Sequence, residues 1–201
     1  MATQPKKFVT VEEYIQQERT ALDRHEYLDG EIFAMAGGTP VHSTIGSNIL
    51  IEIGSQLRGS DCTVRNPDMR IRTSPRGLYS YADAVVSCAD EQFDNGTLLN
   101  PVVIVEVLSE STESYDRGKK FELYRQIPSF REYLIVAQDR PYVEHHVREA
   151  VGTRVWIMRE YTNLEDIITL GTIKVKLSLA DIYAKVSFSI SADTYAVAEP
   201  A

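Results

Sequence analysis

Apolar and polar positions alternate along this chain with periods that change several times. Thr10-Val-Glu-Glu opens the first helical pattern, in which a threonine hydroxyl and a glutamate three residues later can cap each other's backbone; it predicts a short helix from Val11 to about Gln17. Glu26 to Ala36 reads as a hairpin turning at Asp29-Gly30, a pair suited to a tight turn with positive φ. Ile45, Ile49, Ile53 and Leu57 recur every four residues, predicting a helix from about Val41 to Arg58 that Gly59 ends.

The middle of the chain is strand-rich. Thr63 to Arg72 reads as one or two strands with a kink at Pro67-Asp68. Leu78 to Cys88 and Pro101 to Leu108 read as neighbouring buried strands, with a turn region at Asp94-Asn95-Gly96 between them. Ser111 to Ile127 predicts a helix that Pro128 stops. Arg131 to Ala137, Tyr142 to Glu149, Thr153 to Tyr161 and Ile173 to Leu177 read as further strands, and Ser178 caps a short helix to about Lys185. This order predicts an α+β fold with an α/β-type core, a mixed sheet flanked by helices. One domain over residues 1–188 is expected, with a flexible tail over 189–201.

Composition changes this picture little. The chain has 201 residues, 43% hydrophobic and 25% charged, enough to bury a core without staples. Residues 1–7 lack the apolar stretch of a signal peptide, and no apolar run could span a bilayer. Cys62 and Cys88 have no metal-ligand spacing and make no disulfide framework, so a reducing cytoplasm is expected. The net charge of −8 counts against nonspecific coating of nucleic acid, but a local basic face would still allow binding.

Two carboxylates stand where apolar side chains are expected: Asp83 in Tyr-Ala-Asp-Ala-Val-Val and Glu106 in Val-Val-Ile-Val-Glu-Val-Leu. Burying an ionised carboxylate is costly unless it is paired or binds a cation. Each could pair with a core arginine. Together on adjacent strands they could instead share a hard divalent cation, which takes one or two carboxylates plus water and phosphate. Lys120 shares a helix stripe with Asp116 and Tyr124. It is either half of a solvated Asp-Lys pair or a group placed to stabilise charge on a phosphoryl transition state.

Tyr81-Ala-Asp83, Glu106-Val-Leu-Ser109, Asp116, Lys120 and Tyr124 resemble, in this order, the Uma2 family (DUF820), a branch of the PD-(D/E)xK restriction-endonuclease-like nucleases. Glu26-Tyr-Leu-Asp-Gly-Glu31, Met35, His42, Arg131-Glu-Tyr-Leu-Ile-Val and Ser178-Leu-Ala-Asp-Ile-Tyr extend the resemblance over roughly Val9 to Lys185. The resemblance implies a restriction-endonuclease-like core and a metal-dependent endonuclease acting on DNA. It also implies that Asp83 and Glu106 bind Mg²⁺ or Mn²⁺, with the Val107 carbonyl, and that Lys120 is catalytic. Two positions depart from the superfamily pattern: Ala82 replaces a proline, and Leu108 stands where the strand lysine is usual.

His42 is either a member of the site or a surface histidine at a helix start. Glu26 and Glu31 flank a hairpin turn, where carboxylates are usually solvated. His145 and His146 are adjacent on a strand and read as ordinary residues on opposite faces. Arg70 and Arg72, in a run with Arg65 and Arg76, could hold phosphates or could protect an edge strand. A homodimer is expected, since a twofold axis would place one site near each DNA strand. The alternative is a catalytically inactive fold serving as a nucleic-acid-binding or protein-interaction module.

Overall fold

A computed structural model describes residues 8–35 and 37–188; the tail expected over 189–201 lies outside the described residues. Helix α1 (Val11–Glu18) begins with the reciprocal cap read from the sequence: Glu13 N–H donates to Thr10 Oγ1 at 3.2 Å, and Thr10 N–H donates to Glu13 Oε2 at 2.8 Å. The hairpin of β1 (His25–Leu28) and β2 (Glu31–Ala34) turns through Asp29 and Gly30, both at positive φ. Helix α2 (Pro40–Gln56) follows, with Thr39 as its N-cap.

Next come β3 (Thr63–Arg65), β4 (Arg70–Arg72), β5 (Tyr79–Tyr81), β6 (Ala84–Ser87), β7 (Phe93–Asp94), β8 (Thr97–Leu98) and β9 (Val103–Val107). A helical segment then runs through α3 (Glu113–Tyr115), a π-helical turn (Asp116–Lys120) and α4 (Phe121–Tyr124). The chain continues through β10 (Glu132–Val136), β11 (Val143–Arg148), β12 (Trp156–Tyr161), β13 (Ile167–Leu170), β14 (Val175–Ser178) and α5 (Leu179–Ile182).

Two mixed six-stranded sheets result, ordered β2-β1-β5-β4-β8-β7 and β12-β11-β10-β9-β6-β3, beside the β13-β14 hairpin. In the second sheet β9 pairs antiparallel with β6 and parallel with β10, and the helical segment of residues 113–124 makes the crossover. Alternation decides which side chains face which layer. Val103, Val105 and Val107 join Ile45, Ile49 and Ile53 of α2 and the β13-β14 hairpin in one core. Ile104 and Leu108 join Phe121, Tyr124, Tyr133 and Ile135 in a second core on the opposite face. The sheet is therefore covered on both sides, as a near-continuous apolar run such as β9 requires.

Three sequence expectations need correction. The stretch from Leu78 to Cys88 is not one strand: it leaves the first sheet after Tyr81 and enters the second at Ala84. The expected helix from Ser111 to Ile127 spans only residues 113–124, and its centre is a π turn. The two cysteines are joined: Cys62–Cys88 is a disulfide, because the Thr63↔Ser87 register of β3 and β6 sets these residues opposite each other one step further on. A disulfide persists where the surroundings keep it oxidised, so the cysteine count no longer argues for a reducing compartment. No helix among the described residues is long and apolar enough to cross a membrane.

Candidate active site

Asp83 lies in the two-residue passage between the sheets. Carrying the Ala84↔Val105 register one step further sets it opposite Glu106. Its Oδ2 accepts a 2.7 Å hydrogen bond from Val107 N–H, so the carboxylate takes the place of a ladder partner where the strand bends. Opposite residues of an antiparallel pair share a sheet face. That face, carrying Ile104, Glu106 and Leu108, lies under the helical segment.

Glu106 is buried, and its Oε1 accepts a 2.8 Å hydrogen bond from the Tyr124 hydroxyl, which also contacts Ser80 Oγ at 3.0 Å. Lys120 projects from the π turn into the same space. Its Nζ lies 3.0 Å from Glu106 Oε1, 3.0 Å from Glu26 Oε1 and 3.4 Å from Asp116 Oδ1. All four charged residues are less than a tenth exposed. Burial alone would disfavour the ammonium, but Glu106, with Tyr124, Glu26 and Asp116, outweighs it and raises the Lys120 pKa, so the lysine stays charged. Burial raises the Glu106 pKa, with Asp116, Asp83 and Glu26 adding to the rise and Lys120 opposing it. Tyr115 is pushed up to about 12, chiefly by burial and then by Glu26.

His42 enters from the start of α2. Its Nε2 is 3.4 Å from Asp83 Oδ2, and its pKa is raised, first by the hydrogen bond to Asp83 against the opposing effect of burial, with the Val107 backbone contributing. Its backbone N–H donates to the capping Thr39 hydroxyl at 3.0 Å, which fixes the first turn of the helix.

The structure thus brings together Asp83, Glu106, Val107, Lys120 and His42. It adds Glu26, held from sequence only as a weaker candidate, and Ser80, for which the sequence offers no signal. Arg70 and Arg72 are engaged elsewhere. Arg70 is buried, donating to Thr97 Oγ1 at 2.8 Å and to the Asn95 carbonyl at 3.0 Å. Arg72 donates to Asp94 Oδ2 at 2.6 Å. Glu31 is half-buried on β2. His145 is buried with its Nε2 2.6 Å from Glu132 Oε2, and His146 packs against Phe121, so the two do lie on opposite faces.

The donor set suits a hard cation. Glu26 Oε1 is buried without an aligned hydrogen bond: the Lys120 ammonium approaches it in distance but not in direction. Among the described residues no three His, Cys, Asp or Glu side chains are gathered as a ready-made metal cluster. A two-carboxylate centre completed by a carbonyl, water and substrate phosphate remains within what Mg²⁺ uses.

Comparison with known proteins shows the family and the fold. Residues 11–180 match the sequence profile of Uma2, described as "Putative restriction endonuclease". The chain belongs to the Uma2 family. Two relatives come from Synechocystis sp.: the uncharacterized proteins slr1290, 33% identical over 88% of this chain and 92% of its own length, and sll1609, 33% identical over 77% and 88%. The fold also matches the crystal structure of "a putative nuclease belonging to DUF820" from Anabaena variabilis, with a TM-score of 0.71 at 14% identity, covering 87% of this chain and 97% of that one. The Uma2 chain is therefore an α+β protein of the restriction-endonuclease-like kind.

Proposed function

We propose that this Uma2 protein is a divalent-metal-dependent endonuclease that hydrolyses DNA phosphodiester bonds, acting as a homodimer. The observation that carries the reading is the buried Lys120 ammonium among Glu26, Glu106 and Asp116, beside an Asp83 carboxylate set opposite Glu106. Asp83 and Glu106, with the Val107 carbonyl, would hold Mg²⁺ or Mn²⁺. The ion, when bound, supplies Lewis acidity toward a phosphoryl oxygen and an acidified water.

The remaining roles belong to the chain. Lys120, kept charged by three carboxylates, faces the charge that develops on the phosphoryl oxygens, where a fixed cation in a dry site acts most strongly. Tyr124 fixes one Glu106 oxygen through its hydroxyl. His42 holds the Asp83 carboxylate and can carry a proton at Nε2.

The test is cleavage of supercoiled plasmid in Mg²⁺ by the wild type and by Asp83→Asn and Glu106→Gln. Cleavage that stops in EDTA and in both variants supports the reading. Cleavage indifferent to both overturns it. A second reading, an inactive nucleic-acid-binding or protein-interaction module, is favoured by Leu108 at the strand-lysine position. Thermal melting separates the two: Mg²⁺ bound at the site raises the melting temperature, and Asp83→Asn removes the rise.

A further inference from the structure

Among the described residues, arginines gather without a paired carboxylate at the far end of the sheet face that carries Glu106. Arg148 N–H donates to the Arg131 carbonyl at 2.8 Å, one step beyond the Glu132↔Val147 pair, so the two arginines stand opposite each other on β10 and β11. Arg148 is in turn opposite Trp156 of β12. Ile135 pairs with Glu106, and Arg131, four residues before Ile135, falls on the same face. Arg125 joins them from the end of α4, its carbonyl accepting a 2.7 Å hydrogen bond from Arg148 Nη2.

Like charges directly opposite across a ladder repel. Arg148 feels it: its pKa is lowered first by burial, then by Arg131 and Arg125, and no carboxylate among the described residues offsets this. Cation–π contacts seat Arg148 over Trp156 at 4.9 Å and Arg125 over Phe121 at 5.0 Å, but rings do not neutralise guanidinium charge. Arg131 Nη1 and Arg148 Nε are buried with no hydrogen-bond partner among the described residues. In a chain of net charge −8, carboxylates are plentiful elsewhere. Arg65 and Arg72, by contrast, are each paired with one.

A planar guanidinium without a counter-ion matches a phosphate oxygen pair. The sites are also in line. Arg131 N–H bonds the Val102 carbonyl, four residues before Glu106 on β9, a separation of about 13 Å at roughly 3.3 Å per residue. The helical segment of residues 113–124 covers the face between the two sites, so a duplex, with one charge per roughly 1.7 Å of axis over both strands, would bring phosphates to both ends by lying across that segment.

We propose that Arg125, Arg131 and Arg148 form a subsite for the phosphodiester backbone of duplex DNA, at the far end of the strands that carry the Asp83–Glu106 site. This rests on the nuclease reading for its ligand, but its test does not read cleavage. Anisotropy of a labelled duplex is titrated with full-length protein in EDTA over a range of salt. Arg131→Gln with Arg148→Gln is expected to weaken binding tenfold or more and to flatten the slope of log affinity against log salt by about 2. Arg159→Gln, which removes one positive charge from the opposite face of β12, is expected to leave both near wild type. Unchanged affinity and slope in the double variant overturns the subsite, as does an equal loss in Arg159→Gln.

Inorganic phosphate is the second probe. Protection of the wild type by millimolar phosphate, with duplex affinity independent of the arginines, would make this a small-anion site and overturn the DNA assignment. Should the glutamine variants fail to fold, the lysine variants at both positions keep the charge. They are expected to bind several-fold more weakly with the salt slope retained, and undiminished affinity overturns the proposal. Arginine-dependent binding without cleavage in Mg²⁺ supports the subsite and removes the nuclease reading alone.

Discussion

Lys120 stands where a cation would otherwise be needed. Three buried carboxylates face its ammonium, and a buried charge stripped of its partner typically costs about 3–5 kcal/mol. Lys120→Met is therefore expected to lower unfolding free energy by that order in EDTA, read from denaturant melts. Divalent ion should restore part of the loss, because the freed carboxylates gain a ligand in the folded state only. Cleavage should fall about 100-fold or more, since the lysine acts on charge that develops in the transition state. A variant as stable as the parent would mean that the carboxylates are protonated and not ion-paired. Full activity would pass the role to Lys119, whose side chain is half exposed and whose Nζ contacts Glu122, or to no lysine. Glu26 shows why single residues mislead in sequence. Its neighbours mark a hairpin, and hairpin carboxylates are usually wet; only the docking of β1 against β5 and of the π turn above it makes this one buried.

At the scale of elements, the start of α2 carries a device of its own. A Cβ placed on Gly38 would come within 2.8 Å of His42 Nδ1, so the glycine allows the loop to close against the imidazole. The Thr39 hydroxyl donates to Gln138 Oε1 at 2.6 Å, tying the helix start to the segment after β10. Gly38→Ala is expected to bring cleavage down toward that of His42→Ala while the melting temperature stays within about 2 °C, because the loop is exposed. Full cleavage by Gly38→Ala beside an inactive His42→Ala would show that the ring needs no such seat. Elements with a local cause were legible in the sequence: α1 through its reciprocal cap, α2 through its four-residue repeat, and both tight turns through Asp-Gly and Asn-Gly. Elements with a tertiary cause were not. The break at Ala82–Asp83 carries no glycine or proline; it depends on a carboxylate bonding a backbone N–H 24 residues away. Nor does anything in Asp-Arg-Gly-Lys-Lys announce a π turn, although such turns concentrate at functional sites. The unexpected β13 is four residues long, too short to display a period.

At the scale of the molecule, the second sheet ends at β12, whose outer edge has no strand beside it among the described residues. Ile157 is 40% and Met158 49% exposed, and Val155 just before the strand is 51% exposed. An unpaired edge bearing apolar side chains is a template for another strand. The sequence of β12 is suited to pairing with itself. A twofold axis at Ile157 would set that residue against its own copy and each Glu160 opposite the partner's Arg154, just before the strand, and opposite charges facing each other across an antiparallel pair are favourable. β11 and β12 also lie beyond the β9–β10 core that positions Glu106, extending the sheet outward from it. A homodimer built across this edge would join two sheets and give the molecule two sites related by the same axis, one for each strand of a duplex. Light scattering at micromolar concentration is expected to return about twice the 22.7 kDa of one chain. Met158→Asp, which places a new carboxylate on the exposed edge, should return the single-chain mass without loss of fold. A wild-type mass near one chain refutes the dimer. The expected cleavage product would then be a nick in one strand, since a lone site addresses one backbone at a time.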